Sequence, residues 1–173
     1  CNGLLSFSGE KVESVGAQCF ERCYALKEVS FPAATAFGSG CFIDCESLTK
    51  VNFPLCTAIS DKMFFIAQAS VCTSTLKTID LSNITTIGTS AFEGCKALED
   101  VVDFSKVTTV GARAFYECIT LRNVDLSNVT ATGDYAFFRC WGFTGELNMP
   151  KLTAPGKYLF RECKNITKVS APL

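Results

Sequence analysis

Histidine is absent from this sequence of 173 residues. No other side chain has an unperturbed pKa near neutrality, so its absence excludes histidine-based catalytic triads, histidine-liganded zinc and the commonest general base. An excess of positive charge is also missing, because 16 lysines and arginines are balanced by 17 acids. A near-neutral chain offers no electrostatic footprint for nucleic acid and no polybasic stripe for a membrane. We therefore expect no nucleic-acid partner.

Long apolar runs are missing as well. No segment approaches the ~18 consecutive apolar residues that would span a bilayer, so direct membrane insertion is not expected. The first residues contain no basic region followed by an apolar stretch, which indicates a signal peptide that is absent or already removed. No glycine-rich phosphate loop joins a strand to a helix, and no cofactor is predicted. Because the chain opens without methionine and stops within a repeat, we interpret it as a fragment of a longer protein.

A repeat is present instead. The segments TTIGTSAFEGCKAL (85–98) and TTVGARAFYECITL (108–121) share glycine, phenylalanine and cysteine at matching positions. The phenylalanine recurs at intervals of 22, 23 or 28 residues, at Phe20, Phe42, Phe64, Phe92, Phe115, Phe137 and Phe160. If the first apolar residue of each unit is slot one, the units begin at Leu4, Leu26, Leu48, Leu76, Leu98, Leu121 and Phe143, with a partial eighth at Ile166. We interpret residues 1–173 as one domain of stacked units.

Each unit has a strand signal near its start. Apolar residues recur at slot four and commonly at slot six, and proline or serine follows them. The units from Leu98 and Phe143 carry one extra residue before slot four, which places Val102 and Leu147 in that slot. A unit of 22 residues cannot cover its own apolar side, so the units must stack strand on strand into a parallel ladder. The predicted fold class is a repeat solenoid with one short strand per unit.

The second half of each unit predicts a turn. Glycine recurs at slot thirteen, which suits either a positive φ or a close approach of two backbones. Phenylalanine follows at slot seventeen and cysteine at slot twenty, in a segment that we interpret as a short helical turn. The phenylalanine column is predicted to be the core of the solenoid, because each buried ring contributes roughly 1.5–3 kcal/mol.

The segment LKTIDLSNITTIGTSAFEGCKA (76–97) resembles the BspA-like, or treponemal-type, leucine-rich repeats through its IG..AF..C signature. The resemblance covers nearly the whole chain and implies a curved, right-handed leucine-rich-repeat superhelix. It also implies a cell-surface or secreted protein used for adhesion or for binding host and matrix proteins. The chain departs from ordinary leucine-rich repeats at slot nine, where apolar residues mostly replace the buried asparagine.

The third unit is irregular. It carries about six extra residues in FFIAQASVCTSTL (64–76), with Ala67 where cysteine belongs and Cys72 in the displaced slot. This insertion is interpreted either as a tolerated surface loop or as a binding loop.

Eleven cysteines are present. Six share slot twenty, and we predict that they form a column of buried, reduced thiols: Cys23, Cys45, Cys95, Cys118, Cys140 and Cys163. Two further cysteines, Cys19 and Cys41, occupy slot sixteen, where alanine stands in other units. With Cys23 and Cys45 they suggest either zinc or disulfides between adjacent units, whereas packing of small residues explains them without either.

Two sets of outward slots are candidate binding surfaces. We name the first the acidic strip; it lies on the strand face and consists of Asn52, Asp80, Asp103, Asp125 and Asn148. It is either a solvated face whose charge prevents pairing with other chains, or a site for a basic partner or a calcium ion. We name the second the aromatic ridge; it consists of Tyr116, Tyr135, Phe138, Trp141 and Tyr158. It is either a patch of the kind that marks an interaction site, or a set of side chains of which half or more simply cover the turn layer.

The pattern favours a non-catalytic domain that binds a protein or glycan through one of these surfaces. The alternative is a structural spacer without a ligand of its own. An enzyme is not expected, because aspartates on an open ladder face water and nothing in the sequence would shift their pKa values.

Overall fold

The structure is a computed structural model that describes residues 1–67 and 74–172. Each unit follows the same path, and successive units stack so that equivalent residues lie side by side. This confirms the predicted solenoid. Cys72 and most of the insertion in the third unit lie outside the described residues, so the predictions made for them stay predictions.

The first half of most units forms a strand of a parallel ladder that contains slot four. These strands are β1 (Ser6–Ser8), β3 (Glu28–Ser30), β5 (Lys50–Asn52), β7 (Thr78–Asp80), β9 (Asp100–Val102), β12 (Gly145–Asn148) and β13 (Ile166–Ser170). The paired strands are β1 with β3, β3 with β5, β7 with β9, and β12 with β13, all parallel. Apolar slot-four residues face each other in this register, as Phe7 pairs with Val29 and Val29 with Val51.

The register in the unit from Leu98 differs from our prediction. Val101 pairs with Ile79 and is buried, whereas Val102 pairs with Asp80 and is 53% exposed. The extra residue therefore follows slot four rather than preceding it. Asp103 absorbs it by adopting a left-handed conformation with φ of 53°. In the unit from Phe143 the extra residue precedes slot four as predicted, with a register shift between Gly145 and Glu146.

Each of the first six units also contains a second strand that the sequence analysis missed. These strands, each of two residues, are β2 (Ser14–Val15), β4 (Ala36–Phe37), β6 (Ala58–Ile59), β8 (Thr86–Ile87), β10 (Thr109–Val110) and β11 (Ala131–Thr132). They pair in parallel in two groups: β2 pairs with β4, and separately β6 pairs with β8, β8 with β10, and β10 with β11. Their second residue is buried in every case, so this ladder forms another wall of the core.

The slot-thirteen glycines follow this second ladder and allow two backbones to approach closely. A Cβ atom added to Gly133 would lie 2.2 Å from the amide nitrogen of Ala112 in the preceding unit. At Gly38 the equivalent distance to the nitrogen of Ala17 is 2.3 Å. Neither glycine has a positive φ, so the close approach is the property that excludes a side chain here.

The remaining side of the solenoid is a layer of turns, and the expected short helices are absent from the described residues. In the unit from Leu98, Arg113 and Glu117 flank Phe115 in left-handed conformations, with φ of 56° and 59°. Left-handed residues at this spacing cannot belong to a right-handed helix. The three N–H groups instead donate to carbonyls of the next unit, on Asp134, Ala136 and Phe138, at 2.8–2.9 Å. In the other units among the first six, the N–H groups at these three positions donate to the next unit in the same way.

The core is the predicted phenylalanine column. Neighbouring rings are stacked with centroids 5.1–5.6 Å apart, from Phe20 to Phe160. Phe42, Phe92, Phe115 and Phe137 are fully buried. A continuous apolar cluster surrounds the column, so the stacked rings tie each unit to its neighbours.

Candidate functional site

Four of the five aromatic-ridge residues form a stack on the outside of the turn layer. The rings of Tyr116 and Phe138 are parallel with centroids 4.5 Å apart, and those of Tyr135 and Tyr158 are 4.9 Å apart. Tyr135 also meets Phe138 edge to face at 5.8 Å, which joins the two pairs. We name these four rings the aromatic stack. Among the described residues no ring contacts Trp141, so it stands apart from the stack.

The turn layer explains how these rings reach the surface. Tyr135 and Tyr158 occupy the left-handed position before a core phenylalanine, with φ of 58° and 57°. Phe138 directly follows Phe137, whose ring is in the core. Exposure differs among the rings: Phe138 is 6% exposed, Tyr116 and Tyr135 are half-buried, and Tyr158 is 54% exposed. Trp141 is 40% exposed. Part of the predicted ridge is therefore buried, and the accessible part is at its C-terminal end.

Arginines accompany the rings. The guanidinium carbon of Arg113 lies 4.0 Å from the Tyr116 ring centroid, that of Arg139 lies 5.0 Å from Phe138, and that of Arg161 lies 5.3 Å from Tyr158. These distances are within the range of cation–π attraction. The stack thus combines aromatic rings and positive charge on one surface.

Carboxylates neutralise two of these arginines. Arg113 forms a two-point ion pair with Glu93, which is buried. Arg139 donates to Glu117 and Glu162 at 2.8 Å each, so one guanidinium links three units. The hydrogen bond from Arg139 is the main reason that the pKa of Glu162 is lowered. Arg113 and Arg139 therefore have structural partners within the domain.

The aspartates of the acidic strip have a turn-forming role that the sequence analysis missed. In each, Oδ1 accepts the backbone N–H of the serine two residues later, at 2.9 Å: Asp80 with Ser82, Asp103 with Ser105, and Asp125 with Ser127. Such bonds close an Asx turn after a strand. Hydrogen bonds from Ser105 lower the pKa of Asp103. The triplets DLS (80–82), DFS (103–105) and DLS (125–127) recur in the sequence and could have predicted these turns.

The acidic strip is also less regular than predicted. Because Val102 pairs with Asp80, Asp103 is displaced from the expected column, and Asp125 lies in a segment without a strand. Asn52 donates from Nδ2 to the Ser30 hydroxyl at 3.0 Å, and Asn148 is exposed at the end of β12. A shallow cavity of about 130 Å³ lies beside Asn52 and Asp80, where β5 and β7 are not hydrogen-bonded. As a binding surface the strip stays a prediction.

The sequence matches the family described as "BspA type Leucine rich repeat region", in six copies over residues 5–70 and 65–173. The chain belongs to this family. Membership in the BspA type leucine-rich repeats supports a repeat-based binding or structural domain. Leucine-rich repeats are generally non-catalytic. The comparison with curated proteins found no match.

Three solved structures resemble this BspA type leucine-rich repeat chain in fold. A leucine-rich repeat protein of T. pallidum is 14% identical, with a TM-score of 0.47. A leucine-rich repeat protein from Bacteroides ovatus ATCC 8483 is 20% identical, with a TM-score of 0.43. A leucine rich cell surface protein from Faecalibacterium prausnitzii A2-165 is 16% identical, with a TM-score of 0.37. Each match covers 96% of this chain but only 69%, 63% and 60% of the respective neighbour.

The cysteines at slot twenty of these BspA type repeats form the predicted column. In successive units the thiol donates to the carbonyl of the core phenylalanine in the preceding unit, as Cys118 does to Phe92 at 3.1 Å and Cys140 to Phe115 at 3.2 Å. Burial raises the pKa of Cys95 to about 12 and that of Cys163 to about 11. Burial is also the main cause of the raised pKa of Cys118. These thiols are neutral hydrogen-bond donors in the core.

The alternatives for the slot-sixteen cysteines gain no support. Cys41 is buried, and its thiol donates to the Gly16 carbonyl at 2.9 Å, whereas Cys19 is exposed. All cysteines of the described residues are free thiols. Within residues 1–67 and 74–172, no group of three or more acidic or cysteine side chains is placed to hold a metal ion. The same residues contain no helix long and apolar enough to cross a membrane.

Proposed function

We propose that residues 1–173 form one repeat domain that binds a protein or glycan ligand without catalysing a reaction. The observation that carries the proposal is the aromatic stack with its arginines, which ends in the exposed ring of Tyr158. Exposed tyrosine and tryptophan beside arginine are typical of the residues that contribute most to binding energy. Trp141 supplies a further exposed ring.

The location that we propose is the cell surface or the extracellular space. The resemblance to BspA-like repeats implies a surface protein used for adhesion. A solved neighbour from Faecalibacterium prausnitzii is described as a leucine rich cell surface protein. Adhesion to host or matrix proteins is the corresponding role. The aromatic ridge is favoured over the acidic strip, because the three aspartates of the strip already accept hydrogen bonds in turns.

A binding array tests this proposal. The chain would be applied to an array of glycans and matrix proteins, and every saturable hit would be repeated with Trp141→Ala and Tyr158→Ala. We expect that a ligand bound by the wild-type chain is no longer bound by one or other of these variants. A matched control is Leu55→Ala, which removes an exposed side chain from the other side of the solenoid. If no saturable ligand is found, or if Leu55→Ala weakens binding as much as the ridge variants, the result would favour the alternative that the domain is a structural spacer without a ligand.

A further inference from the structure

Positive charge without a carboxylate partner collects at the exposed end of the aromatic ridge. Lys157, Arg161 and Lys164 are all exposed, and none of them forms an ion pair with a described residue. This differs from Arg113 and Arg139, which are held by glutamates. The charges of Arg161 and Lys164 help to lower the pKa of Glu162, but that carboxylate forms its ion pair with Arg139. Lys157, Arg161 and Lys164 therefore have no ion-pair partner of their own among the described residues and are available to a partner protein.

These cations lie against the exposed rings. Arg161 sits 5.3 Å from the Tyr158 ring centroid, and the Lys164 ammonium sits 5.6 Å from that of Trp141. Tyr158 and Trp141 are the two most exposed rings of the ridge. Arg161 and Tyr158 belong to the same unit, and Lys164 of that unit pairs with Trp141 of the preceding unit. A single ligand can therefore contact both positive charge and apolar surface.

The orientation of the rings favours a polypeptide over a sugar. Tyr135 and Tyr158 stack face to face across successive units, with 25° between their planes. Tyr135 thereby covers one face of the Tyr158 ring, and the Arg161 guanidinium also lies over that ring, at 5.3 Å from its centroid. A sugar binds an aromatic ring through its face, whereas ring edges carry positive partial charge and phenols donate hydrogen bonds to acceptors. Tyrosine, tryptophan and arginine are also the residues enriched in protein interfaces.

We propose that Tyr158, Trp141, Arg161 and Lys164, with Lys157 beside them, dock an acidic segment of a partner protein. This proposal rests on the proposed function and specifies its ligand. Aspartate and glutamate side chains of the partner accept hydrogen bonds from the guanidinium, ammonium and phenol groups, while the rings exclude water from those contacts. Unpaired cations give the charge complementarity that selects an acidic partner and steers its approach.

Fluorescence anisotropy with labelled poly-L-glutamate tests this site. The ridge variant is the double substitution Arg161→Gln with Lys164→Gln. The matched control is Lys50→Gln with Lys77→Gln, which removes the same charge from exposed positions on the strand side. We expect the wild-type chain to bind saturably, the ridge variant to lose about tenfold in affinity, and the control to lose less than about twofold. Circular dichroism would verify that each variant is folded.

Two further arms separate docking from general attraction to polyanions. Tyr158→Ala keeps every charge, and we expect it to weaken poly-L-glutamate binding severalfold because the ring contact is lost. Polygalacturonate supplies carboxylates on a glycan, and we expect it to bind more weakly than poly-L-glutamate. The proposal is overturned if poly-L-glutamate does not bind saturably, if both charge variants weaken binding equally, if Tyr158→Ala has no effect, or if polygalacturonate binds as tightly.

Failure of this proposal is distinguishable from failure of the proposed function. An array ligand whose binding requires Tyr158 and Trp141 but not Arg161 or Lys164 would retain the binding domain and overturn the acidic segment. An array without any saturable ligand, together with no binding of poly-L-glutamate, would overturn both.

Discussion

The core phenylalanines are the residues through which one unit holds the next. The Phe115 ring lies between those of Phe92 and Phe137, at 5.1 Å and 5.3 Å, and its side chain is fully buried. Removing it leaves a cavity that the neighbouring units cannot fill, because their own rings are fixed by the stack.

We expect Phe115→Ala to lower the free energy of unfolding by about 3–5 kcal/mol. The measurement is urea denaturation followed by circular dichroism. Leu55→Ala is the control, since Leu55 is 54% exposed and its loss should change stability by less than about 0.5 kcal/mol. Equal stability of Phe115→Ala and the wild-type chain would contradict the packing of the column.

The cysteine column makes stability depend on alkaline pH. A thiol in the unfolded chain has a pKa of about 8.5. Burial raises the pKa of Cys45 and Cys95 to about 12 in the folded chain. Below the unfolded value the thiols are neutral in both states, so their contribution is fully present. As pH rises above it, only the unfolded chain releases these protons, and stability falls until the folded values are reached.

We therefore expect the melting temperature to decrease between about pH 9 and pH 12. The measurement is thermal denaturation across this range. The double variant Cys118→Ala with Cys140→Ala has two fewer buried thiols, whereas its lysines and tyrosines are unchanged. Its melting temperature should fall less steeply. Parallel curves for the variant and the wild-type chain would show that the thiols are not responsible.

At the scale of the elements, the sequence predicted the parts that depend on apolar periodicity. The slot-four strands, the stacking of units and the phenylalanine column all follow from side chains that recur at fixed spacing. The second ladder was missed because its strands have only two residues, as in Thr109–Val110, and two residues show no alternation. The register at Val101 and Val102 was ambiguous, since both are apolar and only the left-handed Asp103 decides between them.

The turn layer could not be predicted from side chains. Its geometry depends on left-handed residues as different as Arg113, Tyr135 and Ser90, none of which favours that conformation. The hydrogen bonds to the next unit hold them there. For the same reason, the sequence placed the ridge residues outside the phenylalanine column but did not predict which rings would stack, nor the Asx turns that occupy the aspartates of the strip.

The slot-thirteen glycines permit a test of the close approach between units. Gly133 and Gly16 occupy the same slot, but Gly16 is in the first unit. A Cβ on Gly133 would meet the Ala112 nitrogen at 2.2 Å, whereas a Cβ on Gly16 would meet no atom within 4 Å. We expect Gly133→Ala to destabilise the fold by about 1–3 kcal/mol or more, because backbone must move.

Gly16→Ala is the matched control, and it should change stability by less than about 1 kcal/mol. Chemical denaturation of both variants is the measurement. If the two substitutions had the same effect, the glycine would be required for its chain flexibility rather than for the contact between units.

At the scale of the whole molecule, the turn-layer hydrogen bonds have one direction. In each of the first six units the N–H groups around the core phenylalanine donate to the following unit, so Phe20 donates to Cys41 and Phe115 to Ala136. In the unit from Phe143, no described residue accepts a hydrogen bond from the N–H of Tyr158 or Phe160. The Phe20 amide is therefore hydrogen-bonded to the next unit, whereas the equivalent Phe160 amide has no acceptor among the described residues.

Amide hydrogen exchange measures this asymmetry. Exchange requires that the hydrogen bond open, and each unit is held only by its neighbours, so protection is expected to be greatest in the middle of the chain. We expect the Phe115 amide to exchange slowest, the Phe20 amide to be protected by its bond to Cys41, and the Phe160 amide to exchange at least about tenfold faster than that of Phe20. The Phe20 ring is buried and the Phe160 ring is half-buried, so ring burial and the directed hydrogen bonds favour the same order of rates. Equal exchange at Phe20 and Phe160 would contradict protection by the directed bonds between units.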